Sequence, residues 1–558
     1  MTMCRPRSIQ SVLIAALLSA SPFSPYLSAQ TPLSPVTRDT QNLTISGTIV
    51  NALDGTPLEK ARVSLADTTN RAAAISVVTA DGGRFEFTHL KAGKFSLQGA
   101  KRGFLTAAYD QHEAYSTAIV TGAGLDTEHL VLRLTPLAML SGKVLDESGE
   151  PIRNAQVSLF REFQAGGFER ILRAAKIQST DDLGSYEFPS LPPGNYFVSV
   201  AAKPWYAVHP PASQAPSISP PQVPPALDVA YPTTYYSGAT DSAMAIPILV
   251  KGGSHLQIDL QLSPVPSLHL LFHTSNPEES FRAPIFEKHV FDSQEFVIPE
   301  DTRPVAPGVF EVTGIPAGKY LVHQRDNDSD KFFRSGELYL LGDGQELDEA
   351  AVEPAGSVKF LLKLVRAEPL PKQLSVAVQD PRRRQLVASR NVDSDGSVTF
   401  PNLYPGKYAV FVWNNERAFS VVRSLSQGIE KEGHDLEVSS GSALDVTLFL
   451  AGSTVSVEGI AKRGGKGVPG AMVVLVPKDP VSHPELFRRD QSDFDGSFYL
   501  RGVIPGTYTV VAIEDGWNTP WLQSGALDRY LPKGQTISIS DLASGSLHLR
   551  DPISVQSH

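Results

Sequence analysis

At 558 residues the chain is too long for a single hydrophobic core and is expected to divide into several domains. Its 43 glycines and 43 prolines favour many turns over long helices. The net charge of −10 is spread along the chain and basic residues do not cluster, so no nucleic acid is expected as a partner. The one basic run, Arg382-Arg383-Arg384, reads as a solvated hairpin tip.

Arg5 and Arg7 precede an apolar run over residues 12–18, and small residues follow as far as Leu27-Ser28-Ala29. This is the pattern of a secretory signal peptide over residues 1–29. The run is short for a bilayer span of about 20 residues. An uncleaved anchor is the alternative. No later stretch is apolar enough to cross a membrane as a helix, so none is expected after signal cleavage. The single cysteine, Cys4, lies within this segment, so the mature chain can form no internal disulfide. Residues 30–43 are polar, contain Pro32 and Pro35, and read as a flexible lead-in.

Beyond residue 43 one phrase recurs five times. Its fullest form is Asp495-Gly496-Ser497-Phe498-Tyr499-Leu500, followed by Pro505-Gly506-Thr507-Tyr508-Thr509-Val510. Asp-Gly supplies the positive φ of a tight turn, and Phe498 and Leu500 alternate as in a half-buried strand. A second turn at Pro505-Gly506 starts another alternating strand. The other copies carry Asp81, Gly82 and Gly93; Gly184 and Gly194; Gly318; and Asp395, Gly396 and Gly406. The copies stand a domain's length apart, too far for a solenoid repeat of roughly 20–50 residues. They imply tandem β-domains, each closing its own core.

Each copy opens on a strand, turn and strand. Ile45-Ser46-Gly47-Thr48-Ile49 leads to Pro57-Leu58 and Ala61-Arg62-Val63-Ser64-Leu65. Leu140-Ser141-Gly142-Lys143-Val144 leads to Pro151-Ile152 and Ala155-Gln156-Val157-Ser158-Leu159. With Asp-Gly-x-Phe and Pro-Gly-x-Tyr downstream, this pattern resembles the carboxypeptidase regulatory-like domain. It is also similar to Cna-B-type and starch-binding-like sandwiches of secreted bacterial proteins. The resemblance is good in copies one, two and five, whereas copies three and four keep mainly the Pro-Gly-x-Tyr half. It implies an all-β chain of about five Greek-key, prealbumin-like (transthyretin-like) β-sandwiches. In the family this domain is a non-catalytic accessory unit.

The expected units are sandwich one at 44–136, sandwich two at 137–265, sandwich three at 266–366, sandwich four at 367–452 and sandwich five at 453–558. Residues 358–364 are read as the closing strand of sandwich three. Sandwich two carries a Pro-rich insertion over 204–232 without periodicity, expected as polyproline II or irregular loop.

Chemistry-bearing constellations are sparse. His434-Asp435-Leu436-Glu437 has a zinc-ligand spacing, but a catalytic zinc needs three protein ligands, and a loop histidine is the better reading. Asp326-Asn327-Asp328-Ser329-Asp330 and Asn391-Val392-Asp393-Ser394-Asp395 imitate the start of a calcium loop without completing it. No metal, cofactor or catalytic residue is expected. The aromatics Trp205, Tyr206, Trp413, Trp517 and Trp521 lie at or beyond the ends of strands that follow Pro-Gly-x-Tyr turns. There they could stack on a ligand or plug their own sandwiches. The expectation is a secreted, periplasmic or cell-surface rod, structural or adhesive and not an enzyme, with polysaccharide or envelope proteins as partners. A carbohydrate-binding protein is the alternative.

Overall fold

The computed structural model describes residues 42–558, apart from 69, 113–114, 123, 166–168, 211–224, 274–282, 326–331, 349–354, 366–368, 382–384, 415–417, 452–454, 481–485, 522–524 and 541–544. The signal peptide, the lead-in as far as residue 41, Arg382-Arg383-Arg384, the acidic run 326–330 and the middle of the Pro-rich insertion lie outside the described residues.

The chain is all-β. The wiring of sandwich one recurs. Its opening strand, Leu43–Asn51, pairs antiparallel with Arg84–Leu90 and parallel with the closing strand Leu130–Leu134. The facing sheet is built on Arg62–Asp67, which pairs with Asn70–Val78 and Gly93–Ala100. Every second residue points inward, so Ile45, Ile49, Val63, Leu65, Phe85, Phe87, Leu97 and Leu132 meet between the sheets. Each such side chain contributes roughly 1.5–3 kcal/mol on burial. The other sandwiches have inter-sheet cores of their own, centred in chain order on Leu140 and Phe188, Leu270 and Phe286, Phe360 and Phe400, and Val457 and Leu500.

The two recurring turns have distinct physical jobs. At the first, Asp495 Oδ1 accepts from Ser497 N at 2.9 Å, and Gly496 N donates to Asp493 O at 2.8 Å. Gly496 has φ +84, and a Cβ there would sit 2.5 Å from Ala461 O on the opening strand. Gly184 is in the same position, 2.6 Å from Val144 O. In sandwich one that role falls to Gly83, whose Cβ would lie 2.5 Å from Ile49 O, and not to Gly82, which has room. The doubled glycine hides the register in the sequence.

At the second turn the tyrosine closes the loop behind it. The hydroxyls of Tyr196, Tyr320, Tyr408 and Tyr508 donate to the carbonyls of Pro192, Pro316, Tyr404 and Ile504, four residues upstream, at 2.6–2.9 Å. Sandwich one has Phe95 instead, and there Thr121 Oγ1 donates to the equivalent carbonyl, Lys91 O, at 2.9 Å.

Two expectations are corrected. Residues 358–364 do not close sandwich three. The strand Gly356–Leu364 pairs with Ser397–Leu403 and runs parallel to Ala443–Ala451, and Val358, Phe360 and Leu362 lie in the fourth core. Sandwich three closes instead on Glu346–Asp348, parallel to its opening strand Val265–His273. Opening and closing strands lie side by side in this fold and alternate alike, so the pattern alone does not separate them.

The array is also not an open rod. Sandwich one docks on sandwich five: Lys94 Nζ lies 2.9 Å from Asp490 Oδ1, and Gln491 exchanges two hydrogen bonds of 2.8 Å with the backbone of Ala118. These are solvated-looking residues in the sequence, and nothing in their spacing marks them as partners.

Candidate functional site

The segment after each Gly-x-Tyr strand is where the copies differ. In sandwich five it folds back on its own sheet. Trp521, 7 % exposed, packs on Phe487 with ring centroids 5.8 Å apart, in a cluster that includes Met472, Val474, Val511, Ile513, Leu527 and Tyr530. Trp517 packs against the same cluster and donates from Nε1 to Gly470 O at 3.2 Å. The Arg489 guanidinium lies 5.0 Å from the Trp517 ring centroid and 5.5 Å from that of Trp521. These two tryptophans therefore cover an apolar sheet face and do not form an open platform. Trp413 ends its strand half-buried, in register with Ser375 and Ala418. The structure does not gather the four tryptophans.

Sandwich two behaves differently. Its strand Gly194–Ala201 runs on to Pro204-Trp205-Tyr206, and Trp205 is 84 % exposed. The Tyr206 ring stands edge-on to it at 5.9 Å. The Tyr206 hydroxyl donates to Glu147 Oε1, and Tyr231 donates to Glu147 Oε2 at 2.7 Å. Burial pushes the Glu147 carboxyl up, but the two phenol donors outweigh it and hold its pKa below the ordinary value. Burial, then the bond to Glu147, raises the Tyr231 phenol. The result is an exposed indole whose neighbouring ring is pinned by a carboxylate.

The stems of the Pro-rich insertion then cross to sandwich three. Val229–Ala230 pairs with the start of Val265–His273, and Ser267 N donates to Asp228 O at 3.0 Å. Behind this pairing lies a polar chain. His209 Nδ1 lies 2.9 Å from Asp228 Oδ1, and its Nε2 lies 3.4 Å from Glu300 Oε2. His269 reaches Asp228 Oδ2 and Glu311 Oε1, each at 2.7 Å. Arg303 pairs with Glu311 Oε2 at 3.1 Å and donates to His209 O at 2.6 Å. Nearby, the Phe291 ring sits among Phe160, Phe197 and Tyr235 of sandwich two, at centroid distances of 4.9–5.8 Å.

Sequence reasoning missed this chain, and no sequence signal marks it. Glu311 occupies the motif position of Glu86 and Glu187, which are exposed, yet it is 0 % exposed itself. His209 and Asp228, on the described stems of the sandwich-two insertion, lie beside Glu311 on the face where Glu86 and Glu187 are exposed in the other two copies. His434 lies in the loop between Ile429–Glu432 and Asp435–Val438, its ring against Phe411. Among the described residues no group of three or more His, Cys, Asp or Glu is disposed to hold a metal ion. Among them, too, no helix is long and apolar enough to cross a membrane.

Comparison with known proteins bears on the first two sandwiches. Residues 44–127 and 139–214 match the carboxypeptidase regulatory-like domain. The match falls on two tandem copies, the first two of the three in which the resemblance is good. No curated protein matches the chain. Solved structures similar to it include the Bacillus anthracis TIE protein, at 12% identity and TM-score 0.17 over 75% of this chain and 76% of that one. The minor pilin GBS52 of Streptococcus agalactiae aligns at 13% and 0.21 over 40% and 96%. BcpA, the major pilin subunit of Bacillus cereus, aligns at 11% and 0.15 over 56% and 99%. At these TM-scores none of them bears on function.

Proposed function

We propose that the chain is a non-catalytic structural or adhesive protein of the cell envelope or exterior, exported by its first 29 residues. It works as five β-sandwich units held in one fixed arrangement. The interlocking of the units carries this reading. Sandwiches two and three interlock through a strand pairing, the Phe291 ring of sandwich three set among sandwich-two aromatics, and a chain of charged groups. Sandwich one meets sandwich five through the little-exposed Lys94–Asp490 pair. Fixed relative positions suit a spacer or an adhesive presenting one surface, and its partners are envelope proteins or polysaccharide. Glutaraldehyde-free scattering and limited proteolysis of the mature chain test this directly. Resistance between sandwiches two and three supports it, whereas ready cleavage into single sandwiches contradicts it.

A second reading, carbohydrate binding, is favoured by one observation, the exposed Trp205 indole beside Tyr206 and Glu147. An open indole face can stack on the apolar face of a sugar ring, with the carboxylate side offering acceptors for its hydroxyls. A glycan array with Trp205→Ala and Trp517→Ala variants tests it. Binding lost only in Trp205→Ala supports the platform. Binding unchanged in that variant removes it, and no binding to any glycan leaves the structural reading.

A further inference from the structure

The polar chain between sandwiches two and three has a geometry that a neutral histidine does not satisfy. A neutral imidazole carries one N–H, and its other nitrogen presents a lone pair. Both nitrogens of His269 face carboxylate oxygens of different residues, Asp228 and Glu311, at 2.7 Å. Glu311 is fully buried, with its Oε2 3.1 Å from Nε of the Arg303 guanidinium. His209 is placed in the same way between Asp228 and Glu300, and its side chain is only 5 % exposed. With both imidazoles protonated, His209, His269 and Arg303 offset Asp228, Glu300 and Glu311. With both neutral, one guanidinium faces three carboxylates, and two lone pairs point at carboxylate oxygens.

We propose that this chain is a pH-set clamp that holds the stems of the sandwich-two insertion on sandwich three while His209 and His269 are protonated, and releases them on deprotonation. Both imidazoles sit above their ordinary value. For His209 the bond to Glu300 leads, burial opposes it, and Asp228 adds to the rise. For His269 burial pushes down, and the bonds to Glu311 and Asp228 outweigh it. A raised folded-state pKa makes the stabilisation complete below the unfolded value of about 6.5 and removes it as pH rises through the folded values. The histidine contribution to the clamp is therefore complete while both imidazoles are charged and is lost as pH rises through their raised folded-state values.

The remaining charged groups around it do not reverse that sign. Asp301 lies 3.5 Å from Arg303, and Asp343 accepts the backbone N–H of His269 at 3.1 Å. Farther along the same interface, Lys288 and Glu295 stand opposite each other in register. Burial lowers Lys288 and raises Glu295, which also accepts from Thr233 Oγ1 at 3.0 Å. Neutralising that pair removes no bond from either histidine. The clamp stands whether or not Trp205 takes a ligand, although Trp205 rides on the same stem four residues before His209.

Hydrogen exchange of the mature chain across a pH series, corrected for intrinsic rates, tests the proposal. The reporting amides are Val208, which donates to Leu227 O, and Ser267, which donates to Asp228 O. Their protection should fall with rising pH by about tenfold for each unit by which an imidazole is raised. Amides of sandwich four, such as Val392, should show no such fall. In a His209→Gln, His269→Gln variant the dependence should disappear, and an Asp228→Asn variant should weaken it. Flat wild-type protection from about pH 6 to about pH 9, where histidine charge is lost, overturns the clamp without need of any variant. So does a dependence that survives in the double variant.

Discussion

The segments that leave sandwiches two and five start from the same point, the end of the Gly-x-Tyr strand, and go opposite ways. In sandwich five the segment lies down on its own sheet, because the outward residues Met472, Val474, Val511 and Ile513 make that face apolar. Trp517 and Trp521 are its cover. In sandwich two the segment projects, leaves Trp205 in solvent and carries His209 and Asp228 to a neighbour. Identical framework turns therefore do not decide the fate of a loop aromatic. What decides it is the polarity of the nearest uncovered face, its own or another unit's.

The largest effect that would sharpen this contrast is expected at Trp521. Trp521→Ala removes a buried ring and should lower the stability of sandwich five by about 3–5 kcal/mol, read from its denaturant midpoint. A shift no larger than that of a surface substitution would return Trp521 to the list of free platforms. A comparable cost is expected for Lys94→Met, which leaves Asp490 without its partner in the contact between sandwiches one and five. Breaking such a little-exposed pair costs about 3–5 kcal/mol of docking. Enhanced proteolysis near residues 488–491 is the measurement, and an unchanged digestion pattern would say that the ends are not docked.

The tyrosine hydroxyls should matter less. Tyr196→Phe and Tyr508→Phe each remove one donor from a carbonyl in the turn and should cost about 1 kcal/mol. Thr121→Val should cost the same in sandwich one, where Phe95 has no hydroxyl and Thr121 bonds the equivalent carbonyl. If Thr121→Val is silent in thermal unfolding, the substitution of one donor for the other is not real. The smallest effect belongs to Trp205→Ala, within about 0.5 kcal/mol of wild type, as for a surface site away from packing. A larger loss would mean that Trp205 packs after all.

Much of the framework is legible in the sequence. Asp-Gly, Pro-Gly and strict alternation are local signals, and they mark turns and strands wherever the local rule holds. Legibility ended where the same local pattern has two uses. Gly82 and Gly83 are both glycine, yet one approaches a backbone carbonyl and the other does not. Residues 358–364 alternate like a closing strand and serve as an opening one. The contacts between units were invisible for a further reason. Lys94, Asp490, His209 and Glu311 are residue types normally solvated, and only a neighbour hundreds of residues or one unit away buries them. Of the site aromatics, the sequence marked positions, but exposure depends on what lies across from each ring.

Contacts between units lock the sandwiches into one closed arrangement, the first on the fifth and the second on the third. Small-angle X-ray scattering of the mature chain near neutral pH tests it most directly. The account predicts a compact particle whose first and fifth sandwiches are in contact, and a longer maximum dimension for Lys94→Met. A wild-type profile of an extended string of five units, unaltered by that substitution, would contradict it.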